Sequence, residues 1–285
     1  MSSLLSHFDW TRALVGLLVG FFVGLTGVGG GVILAPILIF LGIQPSVAVG
    51  TDLVYGTVTK LVGTVRNLTA RRVDWNWALT LAMGSVPAGV AGSYFIDYLR
   101  HATPDAEPIV KMALGAVLTL AAGVNIASEV FLRGKETQLL ADWTPRDTGT
   151  RVRVALAGAA IGLMVGLTSV GSGSLIALLL LFTSRMTMPL LVGTDIAHAM
   201  LLVAAASLAH IDIGTVDYGL ALNLLVGSIP GVLIGGRLVG VVPSRALKVG
   251  VCSLVLVAGV NMLLPSAKRP HPDGDRHAPA TQPSR

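Results

Sequence analysis

Two aspartates stand inside otherwise apolar stretches, each closing a copy of one tetrapeptide: VGTD at 49–52 and again at 192–195. An ionisable group within a membrane-type segment is expensive to bury and marks chemistry by default. Asp52 and Asp195 are therefore candidates for proton coupling, since a carboxyl stripped of water can take up a proton on one side of a membrane and release it on the other. The competing role is a helix cap, because each aspartate follows a Gly-Thr pair suited to starting a helix. Tyr55 and His198 occupy equivalent positions three residues further on and share the helix face of each aspartate. His198 is either a group that titrates near neutral pH or a hydrogen-bonded core histidine. Lys60, on the segment of Asp52, is either that carboxylate's partner or a side chain snorkelling to the interface.

A second set of residues can hold an anion without a large permanent charge. VGLTGVGGG at 23–31 returns as VGLTSVGSG at 165–173, alike at seven of nine positions. Consecutive glycines cannot sustain a helix, each being worse than alanine by about 1 kcal/mol. A helix broken at membrane depth leaves bare backbone groups that lipid cannot satisfy, so the break must line a cavity or lie within protein. Free N–H groups opening a new half-helix attract anions, helped by the helix dipole. The candidate binding residues are Thr26, Gly29, Gly30, Gly31 and Thr51 in the first copy, and Thr168, Ser169, Gly171, Ser172, Gly173 and Thr194 in the second, with Ser174 adding a hydroxyl. The plainer reading of the glycines is close helix packing, but that requires spaced small residues, not a run. No HExxH, paired cysteines or Walker sequence is present, so no metal, cofactor or catalytic residue is assigned. Ser172 and Ser174 lack the G-x-S-G surroundings of a rhomboid-like serine protease.

The elements that must position these residues follow from composition. The 285 residues are 53% hydrophobic and only 12% charged, with a mean hydropathy of +0.77, whereas soluble domains carry about 25% charge. The chain reads as an all-α integral membrane protein in contact with lipid. The pI of about 9.7 reflects basic loops and a basic tail, which fit membrane anchoring and not nucleic acid. One cysteine, Cys252, excludes a disulfide framework. No removable signal peptide is expected at the N-terminus.

The chain is expected to divide into an N-terminal cap (1–12), a first half (13–132), a polar connector (133–152), a second half (153–264) and a disordered tail (265–285). Each half holds about four apolar segments, in the first half 13–41, 46–65, 78–98 and 109–132. Besides the two motifs above, GSVP at 84–87 recurs as GSIP at 227–230 and AGVN at 122–125 as AGVN at 258–261, all in the same order. The glycine stripe Gly16, Gly20 and Gly24 recurs as Gly158, Gly162 and Gly166, at small-xxx-small spacing. If the first segment of each half crosses once, the repeats are parallel; if it is a re-entrant hairpin, they are inverted. Arms of 10 to 13 residues, about 15–20 Å long, reach only the midplane and favour inversion.

With the doubled glycine segment and the GTD that follows some twenty residues later, residues 12 to 264 resemble the sulfite exporter TauE/SafE family of bacterial membrane transporters. The resemblance implies transport of a small anion, sulfur-containing as in sulfite or a sulfonate, across the cell inner membrane. Ser169 and Ser172 stand where the first copy has Gly27 and Gly30. The readings that compete with a secondary transporter are a passive anion channel, since glycine-rich re-entrant loops also build filters, and an intramembrane enzyme.

Overall fold

The computed structural model describes residues 9–26, 34–102, 106–128, 130, 143–237 and 244–264. Among them it contains ten α-helices and no strand. In chain order they are α1 (Trp10–Thr26), α2 (Leu34–Phe40), α3 (Pro45–Thr69), α4 (Trp75–Ala102), α5 (Ala106–Ala127), α6 (Thr148–Thr168), α7 (Ser174–Thr183), α8 (Met188–Ile213), α9 (Tyr218–Arg237) and α10 (Ser244–Leu263). The helices α4, α6, α8 and α9 each include a stretch long and apolar enough to cross a membrane. Large apolar side chains cover much of the outside, among them Met83, Leu156, Leu208 and Leu233, as a lipid-facing surface requires. The N-terminal stretch before Asp9, the glycines Gly29, Gly30 and Gly31, and the tail from Pro265 lie outside the described residues.

Two local signals set helix boundaries. Pro45 and Pro189 fall in the first turns of α3 and α8, where a missing N–H costs nothing. Asp147 caps α6 by accepting from the Thr150 N–H at 3.0 Å, and that backbone bond foremost holds its carboxyl below the usual range. The helix therefore starts at Thr148, inside the polar stretch 133–152.

The expected arm lengths need correction. The first arms are 17 residues in α1 and 21 in α6, longer than 10 to 13, because helix extends back through polar residues beyond the apolar run. The second arms are 7 residues in α2 and 10 in α7. The helix pair α6–α7 nevertheless turns back on itself. The Trp143 N–H, just before α6, donates to the Thr183 carbonyl at the end of α7 at 2.9 Å. Gly158, Gly162 and Gly166 lie against Leu81, Ser85 and Gly89 in turn, so α6 runs parallel to α4 and ends while α4 continues to Ala102.

The same arrangement occurs between α1 and α9, where Gly16 and Gly20 lie against the backbone of Leu224 and Ser228. The first helix of each half thus packs on the fourth helix of the other. The equivalent helices α3 and α8 meet each other antiparallel: Gly56 faces Val203 and Gly63 faces Ile196. The pair α5 and α10 does likewise, with Gly115 against Met262 and Gly259 against Thr119.

Candidate functional site

The two VGTD motifs lie well inside helices. Gln44 and Thr187 are the N-caps of α3 and α8, and neither aspartate follows a helix start. The capping reading of Asp52 and Asp195 is therefore incorrect, because the helices begin seven residues earlier, at Pro45 and Met188. The threonines beside them have a different, reciprocal task. Thr51 Oγ1 accepts from the Asp217 N–H at 3.1 Å, and Thr194 Oγ1 accepts from the Asp74 N–H at 2.9 Å. Both pairs are related by one offset of 143 residues (194 − 51 and 217 − 74). Each motif thus fastens the loop that opens the fourth helix of the opposite half.

Asp52 is fully buried beside Ser169 and the backbone of Ala35. Among the described residues neither of its oxygens has a hydrogen-bond partner, and the same holds for Asp195 Oδ1. Ser169 is the C-cap of α6, left-handed at φ 63°, and Gly171 follows at φ +99°. These two conformations turn the chain from α6 into α7, and they carry the second-half loop to the first-half acid. Thr168, Ser169 and Ser172 are buried there. Thr168 Oγ1 is engaged with the Met164 carbonyl and the Val170 N–H, whereas Ser174 Oγ is buried without a partner. Gly173 is the N-cap of α7, with no side chain capping the N–H groups that follow. Thr26 ends α1.

Lys60 is buried on α3 at 6% exposure, with the charges of both Asp52 and Asp195 around it. Among the described residues Asp9 pairs with Arg12 and Asp97 with His101, and Lys60 is in neither pair. Its counterpart across the 143-residue offset is Val203, so the cluster holds one cation for two carboxyls. The α3–α8 register places Val58 level with its own counterpart, Leu201. Lys60 therefore lies within a turn of the pseudo-twofold axis, with Asp52 towards one end and Asp195 towards the other.

His198 Nε2 and Ser85 Oγ are 2.7 Å apart, with His198 Nδ1 left unpartnered. Tyr55 and Ser228 are the equivalent pair and lie close together, without the hydrogen-bond geometry of the His198–Ser85 pair. The sequence reading missed Ser85 and Ser228. They stand in the repeated GSVP and GSIP, two residues before Pro87 and Pro230, and the repetition was the available signal. A cavity of about 430 Å³ opens elsewhere, at the junction of α2 and α3 against α5 and α10, lined by Gln44, Lys111 and Asn261 among others. None of the buried acids lines it, so it is not the centre of the site. Among the described residues no cluster of three or more His, Cys, Asp or Glu is grouped as a metal site.

A lipid-facing apolar exterior around unsatisfied acids, a lysine and a broken helix defines a polytopic membrane transporter. The family model for the sulfite exporter TauE/SafE matches residues 12–262, and the chain belongs to that family. It is similar to the probable membrane transporter protein YjnA of Bacillus subtilis, 44% identical over 88% of this chain and 98% of that one. The probable membrane transporter protein YdhB of the same organism is 25% identical over the same shares. A probable membrane transporter protein of Xylella fastidiosa is 25% identical over 76% of this chain and 79% of its own. No solved structure matches.

Proposed function

We propose that this protein is a secondary transporter for small, sulfur-containing anions of the sulfite or sulfonate kind, coupled to protons, in the cell inner membrane. The observation that carries the reading is the burial of Asp52, Asp195 and Lys60 along the contact of two equivalent helices, with both oxygens of Asp52 and Oδ1 of Asp195 lacking a hydrogen-bond partner among the described residues. Unsatisfied buried charge costs several kcal/mol, which a purely structural cluster has no reason to retain. The glycine-broken segment of the second half supplies neutral donors for the anion, with Gly171, Ser172, Gly173 and Ser174 at the start of α7; Gly29 to Gly31, their counterparts in sequence, are proposed for the same role.

The repeats are taken as inverted. A twofold axis along the membrane normal leaves equivalent helices parallel, whereas one in the membrane plane reverses them. The antiparallel α3–α8 and α5–α10 pairs support the second case, as does the return of α7 to the end where α6 starts. Inverted repeats with discontinuous helices at the midplane are a recurrent transporter construction. The end that carries Arg71, Arg72, Arg146, Arg151 and Arg185 is assigned to the cytoplasm. The opposite end carries Asp9, Asp97, Asp212 and Asp217 alongside Arg12 and Lys111.

The test is flux in proteoliposomes against sulfite, thiosulfate, alkyl sulfonates and carboxylates. Saturable uptake of at least one sulfur anion above protein-free vesicles is expected. Uptake of none of them, by protein that remains monodisperse, sinks the reading.

A further inference from the structure

The charge inventory at the helix crossing fixes more than the presence of a site. Along the α3–α8 contact stand two carboxyls, Asp52 and Asp195, towards opposite ends, with one ammonium, Lys60, between them and within the field of both. Among the described residues the surrounding elements add no other buried charged side chain there. The helices α2 and α7 contain no titratable residue. On α8, His198 is held against Ser85, and His210 lies between Thr215 and the Gly166 carbonyl. Tyr55 is a neutral phenol on the same face of α3. On α4 and α6 the charged groups stand near the ends, with Tyr94 donating to Asp212 and Arg151 and Arg153 exposed. Arg71 and Arg72 are exposed in the loop beside the start of α8. Asp74 and Asp217 present backbone N–H groups to the two threonines.

We infer that Lys60 is the single cation of the translocation site and that the cargo is therefore a monovalent anion carried together with one proton. The inference rests on the transporter reading above. With both carboxyls ionised the cluster sums to one negative charge, which repels an anion and leaves net charge in a low-dielectric interior. One proton on either carboxyl brings the empty site to zero. A second proton brings it to plus one, and a monovalent anion restores neutrality. The loaded site thus differs from the empty one by one anion and one proton, and the translocated unit carries no net charge. A dianion such as sulfate leaves the loaded site at minus one even with both carboxyls protonated. The same inventory assigns roles to the two acids. Either one alone can carry the proton, so Asp52→Asn and Asp195→Asn each retain coupling, whereas the double variant leaves Lys60 with a permanent positive charge.

The experiment uses the full chain in proteoliposomes with radiolabelled methanesulfonate as the monovalent probe and radiolabelled sulfate as the divalent one. Each is measured under an imposed pH gradient and, separately, under a potassium diffusion potential set with valinomycin. Methanesulfonate uptake should follow the proton gradient, remain unchanged by the potential and exceed sulfate uptake at least tenfold. Lys60→Met should abolish it and Lys60→Arg should restore part of it. The Asp52→Asn/Asp195→Asn double variant should take up methanesulfonate in response to the potential instead. Uptake driven by the potential in the native protein, equal uptake of sulfate, or full activity in Lys60→Met overturns the inference while leaving a transporter. If neither probe moves, calorimetric binding in two buffers of different ionisation heat decides. A monovalent sulfonate that binds without taking up a proton overturns the inference, and one that binds with one proton upholds it.

Discussion

At the scale of residues, the unusual feature is what Asp52 and Asp195 lack. A buried carboxylate oxygen normally has hydrogen-bond partners, yet among the described residues Asp52 has none on either oxygen, while the threonine before it is committed to a backbone N–H. The motif divides its labour: the hydroxyl holds the neighbouring loop, and the carboxyl is left available for the proposed coupling role. Asparagine has nearly the shape of aspartate but does not titrate, so replacing both acids separates the two roles. The Asp52→Asn/Asp195→Asn protein is expected to fold and to bind an anion while its uptake loses the dependence on pH seen in the native protein. An unchanged pH profile for the double variant, measured in proteoliposomes across the neutral range, shows that the carboxyls carry no coupling proton.

At the scale of elements, glycines decide how closely helices approach. Gly162 packs on the backbone of Ser85, and any side chain there forces α6 from α4. In α5, Gly123 has nothing within 4 Å of where a side chain would begin. Gly162→Leu should therefore cost about 1–3 kcal/mol or more of stability, seen as loss of monodisperse protein. Gly123→Ala should be neutral or stabilising by up to about 1 kcal/mol. Similar melting of the two variants contradicts the helix contact described. The turn between α6 and α7 is a different case. Gly171, at φ +99°, has the Leu175 side chain 2.7 Å from a would-be Cβ, and a left-handed backbone disfavours side chains. Gly171→Ala should displace the loop that reaches Asp52, reducing flux at least tenfold with expression and insertion retained. Native flux from that variant removes the loop from the site.

At the scale of the molecule, exchange of the first helix between halves makes the two repeats mutually dependent. The helix α1 has its main partner in α9, and α6 in α4, so neither half closes its core alone. The packing also predicts a topology. In a chain with Cys252→Ala, single Thr69→Cys and Thr148→Cys substitutions fall at the basic end, and His101→Cys and Leu264→Cys at the other. An impermeant maleimide applied to intact cells should label the second pair and spare the first. Labelling of one position from each pair means that the equivalent helices do not run as described, and the inverted arrangement fails.

Composition alone determined that this is a helical membrane protein, and the doubled VGLT, VGTD, GSVP and AGVN segments determined that it has two related halves. Those are local properties, readable because a lipid environment restricts which side chains each stretch can carry and because duplication leaves matching short motifs. The same locality exposed Asp52, Asp195 and Lys60, since charge in an apolar run is visible one residue at a time. It misjudged the arm lengths, because helix continues into polar residues where Asp147 caps it, and it allowed a capping role that the starts at Pro45 and Met188 remove. Only the tertiary structure decided that Thr51 and Thr194 bond the loops of the opposite half, that Ser85 meets His198, and that α1 belongs against α9. It also decided that Lys60 sits at the crossing of α3 and α8. Each of these is a contact across the 143-residue repeat or between helices distant in sequence, and helix-to-helix register is set by the packing of glycines against backbone, which no single segment encodes.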